Sequence, residues 1–491
     1  MLEKGAEINL VSGHYGTALQ AACYGGNLAI VELMFEKGAE INFVGGHYSK
    51  DPQAAYYIRN WAIVELLFEK GADIKFVSDH YGTLLQDACL EGNLGIVELL
   101  LEKGADINFI DDLYGTALQA ACNGESLAIV ELLLEKGADI NLVGGHSGTA
   151  LQVACYRENL VIVELLLQKG ADINFVGGDH LQAACYTGNL AIVELMLEKG
   201  AEINLVSGHY GTALQAACCG GNLAIIELML KKGAEINLVS GHYGTALQAA
   251  CCGRNLAIVE LMLEKGAEIN LVGGHYGTGL QAACYGGNLA IVELLLEQGA
   301  DINLVGGDCG TALHAALQSE HFNIANLLLD SGADINAINP EYHCGGTPLK
   351  TSAEEGLQNS VKFLLKKGAD VNLVYDGFLS TALQAASYDG STSIVQLLLS
   401  HGADVNTMGG FFGTALNSAV FERNEEIVKI LLNEGAEVNV LSKYHRTTLD
   451  MALLYGRESI VPLLLNNGGE QFGFFTWMVQ NDRLISLFDI L

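Results

Sequence analysis

Apolar and polar positions follow one long period along this chain. In residues 209–241, HYGTALQAACCGGNLAIIELMLKKGAEINLVSG, a short apolar run of Ala213, Leu214, Ala216 and Ala217 follows Thr212. A threonine hydroxyl there suits an N-cap, so the pattern predicts a helix starting at that point. Gly220-Gly221 can take the left-handed conformation that closes a helix without a Cβ clash, and Asn222 can then cap a second. In that second helix, Leu223, Ile225, Ile226, Leu228, Met229 and Leu230 are expected to fill a wide apolar face, with Glu227, Lys231 and Lys232 outward. Gly233 stops it. Residues 234–241 then read as a brief extended stretch ending in turn residues, half of a hairpin-like finger.

The same unit recurs. The leucine of the first helix returns as Leu19, Leu85, Leu118, Leu151, Leu181, Leu214, Leu247, Leu280, Leu313, Leu349, Leu383, Leu416 and Leu449, mostly 33 residues apart. Self-similarity at that length means a solenoid, in which each unit buries its apolar face only against its neighbours. Thr-Ala-Leu-Gln-Ala-Ala, Gly-Asn, Ile-Val-Glu-Leu-Leu-Leu and Gly-Ala-Asp-Ile-Asn together resemble the ankyrin repeat, whose usual opening is T-P-L-H-x-A. The resemblance implies an all-α solenoid of stacked helix-turn-helix repeats with β-hairpin fingers. Its expected division is a truncated part-repeat at 1–16, about fourteen repeats over 17–469, and degenerate capping helices at 470–491. Gln20, Gln215 and their equivalents stand where the family usually has histidine, kept only as His314; a glutamine amide can still bridge neighbouring loops.

Three stretches depart from the period. Over 47–78 the repeat is degenerate: Asp51 is expected to cap a shifted helix with Pro52 at its first position, and Tyr56, Tyr57 and Trp61 to refill the volume of a lost leucine. The finger at 177–182 is shortened by three residues, and the finger at 339–346 is lengthened by three. Irregular fingers are expected landmarks for binding, because loops on a rigid scaffold carry most contacts. Residues 1–17 repeat 196–212 letter for letter, so the favoured expectation is a fragment that begins inside a second helix. In the tail, Phe474, Phe475, Trp477, Met478, Leu484, Ile485, Leu487, Phe488 and Ile490 keep an apolar rhythm suited to covering the last repeat.

Composition sharpens this picture. Half of the 491 residues are apolar, yet glutamates such as Glu32, Glu98 and Glu131 interrupt the apolar runs. None reaches the roughly 18 residues of a spanning helix, so no membrane role is expected. The net charge of −32 arises from two or three acids per repeat and argues against binding nucleic acid. Eight of twelve cysteines, Cys23, Cys89, Cys122, Cys155, Cys185, Cys218, Cys251 and Cys284, hold one small-residue position per repeat. Packed helices lie about 8–10 Å apart, beyond the roughly 7 Å Cα limit of a disulfide. Small buried hydrophobes in a reducing compartment, the cytoplasm or the nucleus, are therefore expected. Cys219 and Cys252 replace a tyrosine at the next position and are expected to be more exposed.

Candidate chemistry is sparse. His14, His47, His80, His146, His209, His242 and His275 mark finger tips, mostly followed by an aromatic, as in Tyr15, Tyr48, Tyr81, Tyr210, Tyr243 and Tyr276. Together with Tyr342 and His343 of the lengthened finger they are the candidate partner-binding residues. Their plain reading is turn residues with surface aromatics, and the sharper one is a recognition row for a repetitive partner. Below about pH 6.5, protonation would add positive charge along that edge. Asp308, Cys309, His343 and Cys344 are the sole metal constellation worth weighing, but their spacing matches no standard motif, and no metal or cofactor is expected. The Gly145–Thr149 stretch lacks the final glycine of a hydrolase nucleophile elbow, and the Gly-x-x-Gly-Thr turns lack a phosphate-loop lysine. No catalytic dyad stands apart from the repeat. The expected function is a non-enzymatic scaffold that binds a protein partner through a concave surface of fingers and first helices. The alternative is the ligand-sensing end of a larger signalling receptor or regulated enzyme, since the array also resembles the highly uniform ones of fungal ankyrin-repeat receptors.

Overall fold

The computed structural model describes residues 7–11, 16–41, 55, 60–72, 77–78, 82–145, 148–175, 179–340, 345–441 and 447–470. Among them run 27 helices, in which a helix of seven or eight residues alternates with one of nine in nearly every repeat. Contacts divide the chain into two compact units, Met1–Gly208 with Ala224–Gly233, and His209–Leu223 with Ala234–Leu491.

Eleven of the thirteen described first helices begin as the threonine predicts. Thr245 Oγ1 accepts from the Gln248 amide N–H at 3.2 Å, and Gln248 Oε1 accepts from the Thr245 N–H at 2.6 Å, a reciprocal capping box. The same pair closes Thr17 with Gln20 and Thr116 with Gln119. The other end of the glutamine leaves the repeat. Gln248 Nε2 donates to Leu271 O at 2.9 Å and Gly277 O at 2.6 Å in the next finger, and Gln215 does the same to Leu238 O and Gly244 O. His314 serves the same place: its Nδ1 lies 3.3 Å from the Thr311 N–H and its Nε2 3.2 Å from Gly346 O. Glutamine thus replaces histidine without losing the bridge. The glycine before Thr245 is fixed by this arrangement: Gly244 has φ +83°, and a Cβ on it would overlap both Gln248 Oε1 and the Gly273 backbone.

Many of the second helices start at asparagine, where Asn189 and Asn255 Oδ1 accept from the N–H three residues on, at 3.2 and 3.3 Å. They stop at glycine. Gly266 has φ +90°, and the N–H of Ala267 reaches back to Met262 O at 2.9 Å, satisfying a carbonyl that the helix end leaves open. The asparagine closing each Gly-Ala-Asp-Ile-Asn turn binds the next repeat: Asn237 Oδ1 accepts from Glu268 N–H at 2.9 Å while its Nδ2 donates to Gly266 O at 3.2 Å. Asn270, Asn372 and Asn406 repeat this two-point clamp in the second unit, and Asn174 does so in the first.

The core follows from the spacing. Ala246, Leu247, Gln248, Ala249, Ala250 and Cys251 are all buried, as are Ile258, Val259 and Met262 of the following helix. That second stripe is narrower than the sequence suggests: Ile225, Ile226 and Met229 are buried, but Leu223 is 43% exposed and Leu228 and Leu230 only half-buried. The eight aligned cysteines are buried, and Cys219 and Cys252 are half-buried. Cys218 Sγ touches Met262 Sδ at 3.8 Å, one repeat on.

The fingers are shorter than hairpins. Ser240 with Gly244, Gly273 with Gly277, Gly306 with Gly310, and Gly409 with Gly413 each close a five-residue loop by an isolated bridge; the only strands among the described residues, Val77–Ser78 and Gly82–Thr83, have two residues each. Left-handed glycines such as Gly274 (φ +62°) and Gly277 (φ +84°) turn the chain so tightly that no strand can extend. At the shortened finger, His180 becomes the first residue of its helix and is buried, with Nε2 at 2.7 Å from Thr149 Oγ1. At the lengthened one, Asn339 and Gly346 exchange both backbone hydrogen bonds, at 2.9 and 2.8 Å. In the degenerate repeat, Trp61 opens a second helix, Trp61–Glu69, and is half-buried. Asp51, Pro52, Tyr56, Tyr57 and the tail after Glu470 lie outside the described residues.

Candidate functional site

Three consecutive finger tips in the second unit form a continuous row. His242 N–H donates to His209 O at 2.9 Å, His275 N–H to His242 O at 2.8 Å, and Asp308 N–H to His275 O at 2.9 Å. This main-chain ladder brings the tips closer than packed helices, and the imidazoles stack at 4.6 Å (His209 on His242) and 4.8 Å (His242 on His275). Beneath them the phenol rings stack at 6.2 Å (Tyr210 on Tyr243) and 6.4 Å (Tyr243 on Tyr276), each crossed edge-on by its own histidine. The row ends on charge. Asp308 stands where the next histidine would be, and its Oδ2 accepts a hydrogen bond from His275 Nδ1 at 2.6 Å.

The phenols are tied to the first helices. Tyr243 hydrogen-bonds Cys219 and Tyr276 hydrogen-bonds Cys252, which, with burial as the larger cause, raises both phenol pKa values. His242 is held below the ordinary imidazole value by burial and by the histidines on either side, with Asp308 opposing. Below Asp308, Cys309 is buried and its thiol pushed up to about 11, by burial first and then by Asp308 and Glu355.

Farther along, the same register carries phenyl rings. Phe411 N–H donates to Phe378 O at 2.9 Å, the same tip-to-tip bond, and these residues hold the histidine position of their fingers. Phe378 meets Phe411 at 5.2 Å and Tyr388 at 5.8 Å; Tyr388 stacks on Phe421 at 6.3 Å, and Phe421 meets Tyr455 edge-on at 5.1 Å. Phe378, Tyr388, Phe411, Phe421 and Tyr455 are half-exposed, so the cluster forms surface where Phe412 beneath it is core. Here the first helices end in carboxylates, Glu354-Glu355, Asp389 and Glu422, where earlier ones end in Gly220-Gly221, Gly253-Arg254 and Gly286-Gly287.

The family profile of ankyrin repeats, in groups of three copies, matches residues 53–144, 142–207, 181–273, 274–339, 337–409 and 384–472. The chain belongs to the ankyrin repeat family. No curated protein matches it significantly. Ankyrin repeats are generally protein–protein interaction modules without catalytic activity, so the array's use is decided by its surface and not by its fold.

Of the candidate residues in the ankyrin array, the structure brings together His209, Tyr210, His242, Tyr243, His275 and Tyr276. His14, Tyr15, His47, Tyr48, His80, Tyr81, His146, Tyr342 and His343 lie outside the described residues. So do two members of the metal constellation, His343 and Cys344, while Asp308 pairs with His275 and Cys309 is buried. Among the described residues no group of three or more His, Cys, Asp or Glu side chains is arranged to hold a metal ion, and no helix is long and apolar enough to cross a membrane. The phenyl cluster escaped the sequence reading, which followed the letters His-Tyr; laying Phe411-Phe412 on His275-Tyr276 by the period from Gly-Thr would have shown it.

Proposed function

We propose that this ankyrin array is a non-enzymatic scaffold that binds a partner protein through its finger tips and first-helix ends. The observation that carries the reading is the row His209, His242, His275 with Tyr210, Tyr243, Tyr276, in which rings and backbone are locked by stacking and by tip-to-tip hydrogen bonds. A surface ordered in advance loses little entropy on docking, and tyrosine gives large contact area at low conformational cost. The buried cysteines, one per repeat, support a reducing compartment, the cytoplasm or the nucleus. Affinity capture with the wild-type chain and with a variant carrying His209→Ala, Tyr210→Ala, His242→Ala, Tyr243→Ala, His275→Ala and Tyr276→Ala tests it. Proteins held by the wild type and lost by the variant, whose helicity is unchanged, support the reading; equal recovery by both removes the row from recognition.

A further inference from the structure

The array's net charge of −32 and its two aromatic rows pose separate questions, and the phenyl row answers both at one place. Tyr388 lies at its centre, in ring contact with Phe378, Phe412 and Phe421 and hydrogen-bonded to the carboxylate of Glu422, with Glu354 also in its field. Two nearby cations are already engaged. Lys350 is buried against Glu354 at 2.5 Å, and the Arg457 guanidinium donates to the carbonyls of Val420 and Phe421. Glu355, Asp389 and Glu422 form no ion pair with lysine or arginine among the described residues. Crowding leaves a mark on one of them: burial first, then Glu354, raises the Glu355 carboxyl above its ordinary value, a strain that an incoming cation would relieve. The cluster also shows how a guanidinium sits on it, since Arg457 lies over the Tyr455 ring at 5.8 Å from its centre.

We propose that Phe378, Tyr388, Phe411 and Phe421, rimmed by Glu355, Asp389 and Glu422, form a docking site for an arginine-bearing segment of the partner protein. The proposal rests on the finger and first-helix surface being the recognition surface. Guanidinium planes lie on the exposed ring faces, and the carboxylates take their N–H groups in charge-assisted hydrogen bonds, which planar arginine makes better than lysine. The field of the whole acidic chain speeds the encounter, while the aromatic patch fixes where it ends.

A synthetic Arg-Gly repeat peptide, its Lys-Gly and Glu-Gly counterparts, and the full chain suffice for the test, read by fluorescence anisotropy at about 0.15 M salt, where diffuse attraction is screened beyond about 8 Å. The arginine peptide is expected to bind more tightly than the lysine peptide, and the glutamate peptide not at all. Tyr388→Ala and Glu422→Gln are each expected to weaken arginine-peptide binding by about tenfold or more. Glu260→Gln with Glu293→Gln, which remove charge from exposed second-helix positions, are expected to leave it within about twofold, as screening implies. Glu422 is exposed, so its variant folds even if Tyr388→Ala unfolds its repeat. Equal weakening by the second-helix pair, or unchanged binding to Glu422→Gln, overturns the site. Loss of a captured protein by Tyr388→Ala without any binding of the arginine peptide overturns the partner chemistry and leaves the recognition surface standing. Retention of that protein by every finger and patch variant overturns the surface itself.

Discussion

Replacing Gln248 tests the device that joins one repeat to the next. Its side chain makes three hydrogen bonds, accepting from Thr245 N–H and donating to Leu271 O and Gly277 O, at 2.6, 2.9 and 2.6 Å. Gln248→Met keeps length and shape but makes none of them. At about 1 kcal/mol net for each bond the loss is about 3 kcal/mol. Gly277 O still accepts from Gly273 N–H and Thr245 N–H still reaches Tyr243 O, so the finger opens locally and the array does not collapse. Gln248→His should cost only about 1 kcal/mol, because His314 shows an imidazole meeting the same threonine and the same finger carbonyl. Hydrogen exchange reads the difference where it arises, at the amides of residues 273–277. Protection there should fall roughly a hundredfold in Gln248→Met and roughly fivefold in Gln248→His. Equal protection in the two variants, or a larger loss with histidine, would refute the bridging role.

Three further outcomes follow from the same geometry. Burial lowers His314 and His180 from 6.5 to about 4, so between those values the unfolded chain binds the extra proton and stability falls as pH falls. Each site then loses ~3 kcal/mol by about pH 4; His314→Gln, the residue most repeats use, should remove its share, measured as the difference between the two unfolding-versus-pH curves. Burial raises the thiols of Cys122, Cys218, Cys251 and Cys284, and takes Cys155 to about 12, so alkylation at about pH 8 mapped by mass spectrometry should mark them only after unfolding. Gly266→Ala, in open space at φ +90°, should cost about 1 kcal/mol for the left-handed backbone alone. Gly277→Ala, where the methyl would overlap Gln281 and the Gly306 backbone, should cost at least about 1 kcal/mol more in denaturant unfolding.

The repeat was legible because each of its signals acts within a few residues. Thr212 and Gln215 close their box three residues apart, and glycines at 221, 233 and 266 end helices with no help from the rest of the chain. The bridging amide of Gln215 was readable too, since its place in the repeat leaves it facing the next finger. What stayed hidden depends on how repeats stack. Asn237 looks like a turn residue until Glu268 and Gly266, some 31 and 29 residues on, arrive at its amide. The fingers looked like hairpins because the extended run ends in turn residues, but two left-handed glycines close the loop before a second strand pair can form. The phenyl row was hidden by spelling: Phe378 and Phe411 share a register position with His275, and the tip-to-tip hydrogen bond from Phe411 to Phe378 matches those between the histidine tips.

The claim that fingers and first-helix ends are the recognition surface is tested most directly by hydrogen exchange on the full chain, free and with a captured partner bound. Slowed exchange should fall on residues 209–211, 242–244, 275–277 and 409–413 and on the ends of the helices Ala382–Asp389 and Ala415–Phe421. Slowing confined to the second helices, such as Leu256–Glu264 and Leu289–Glu297, would contradict it.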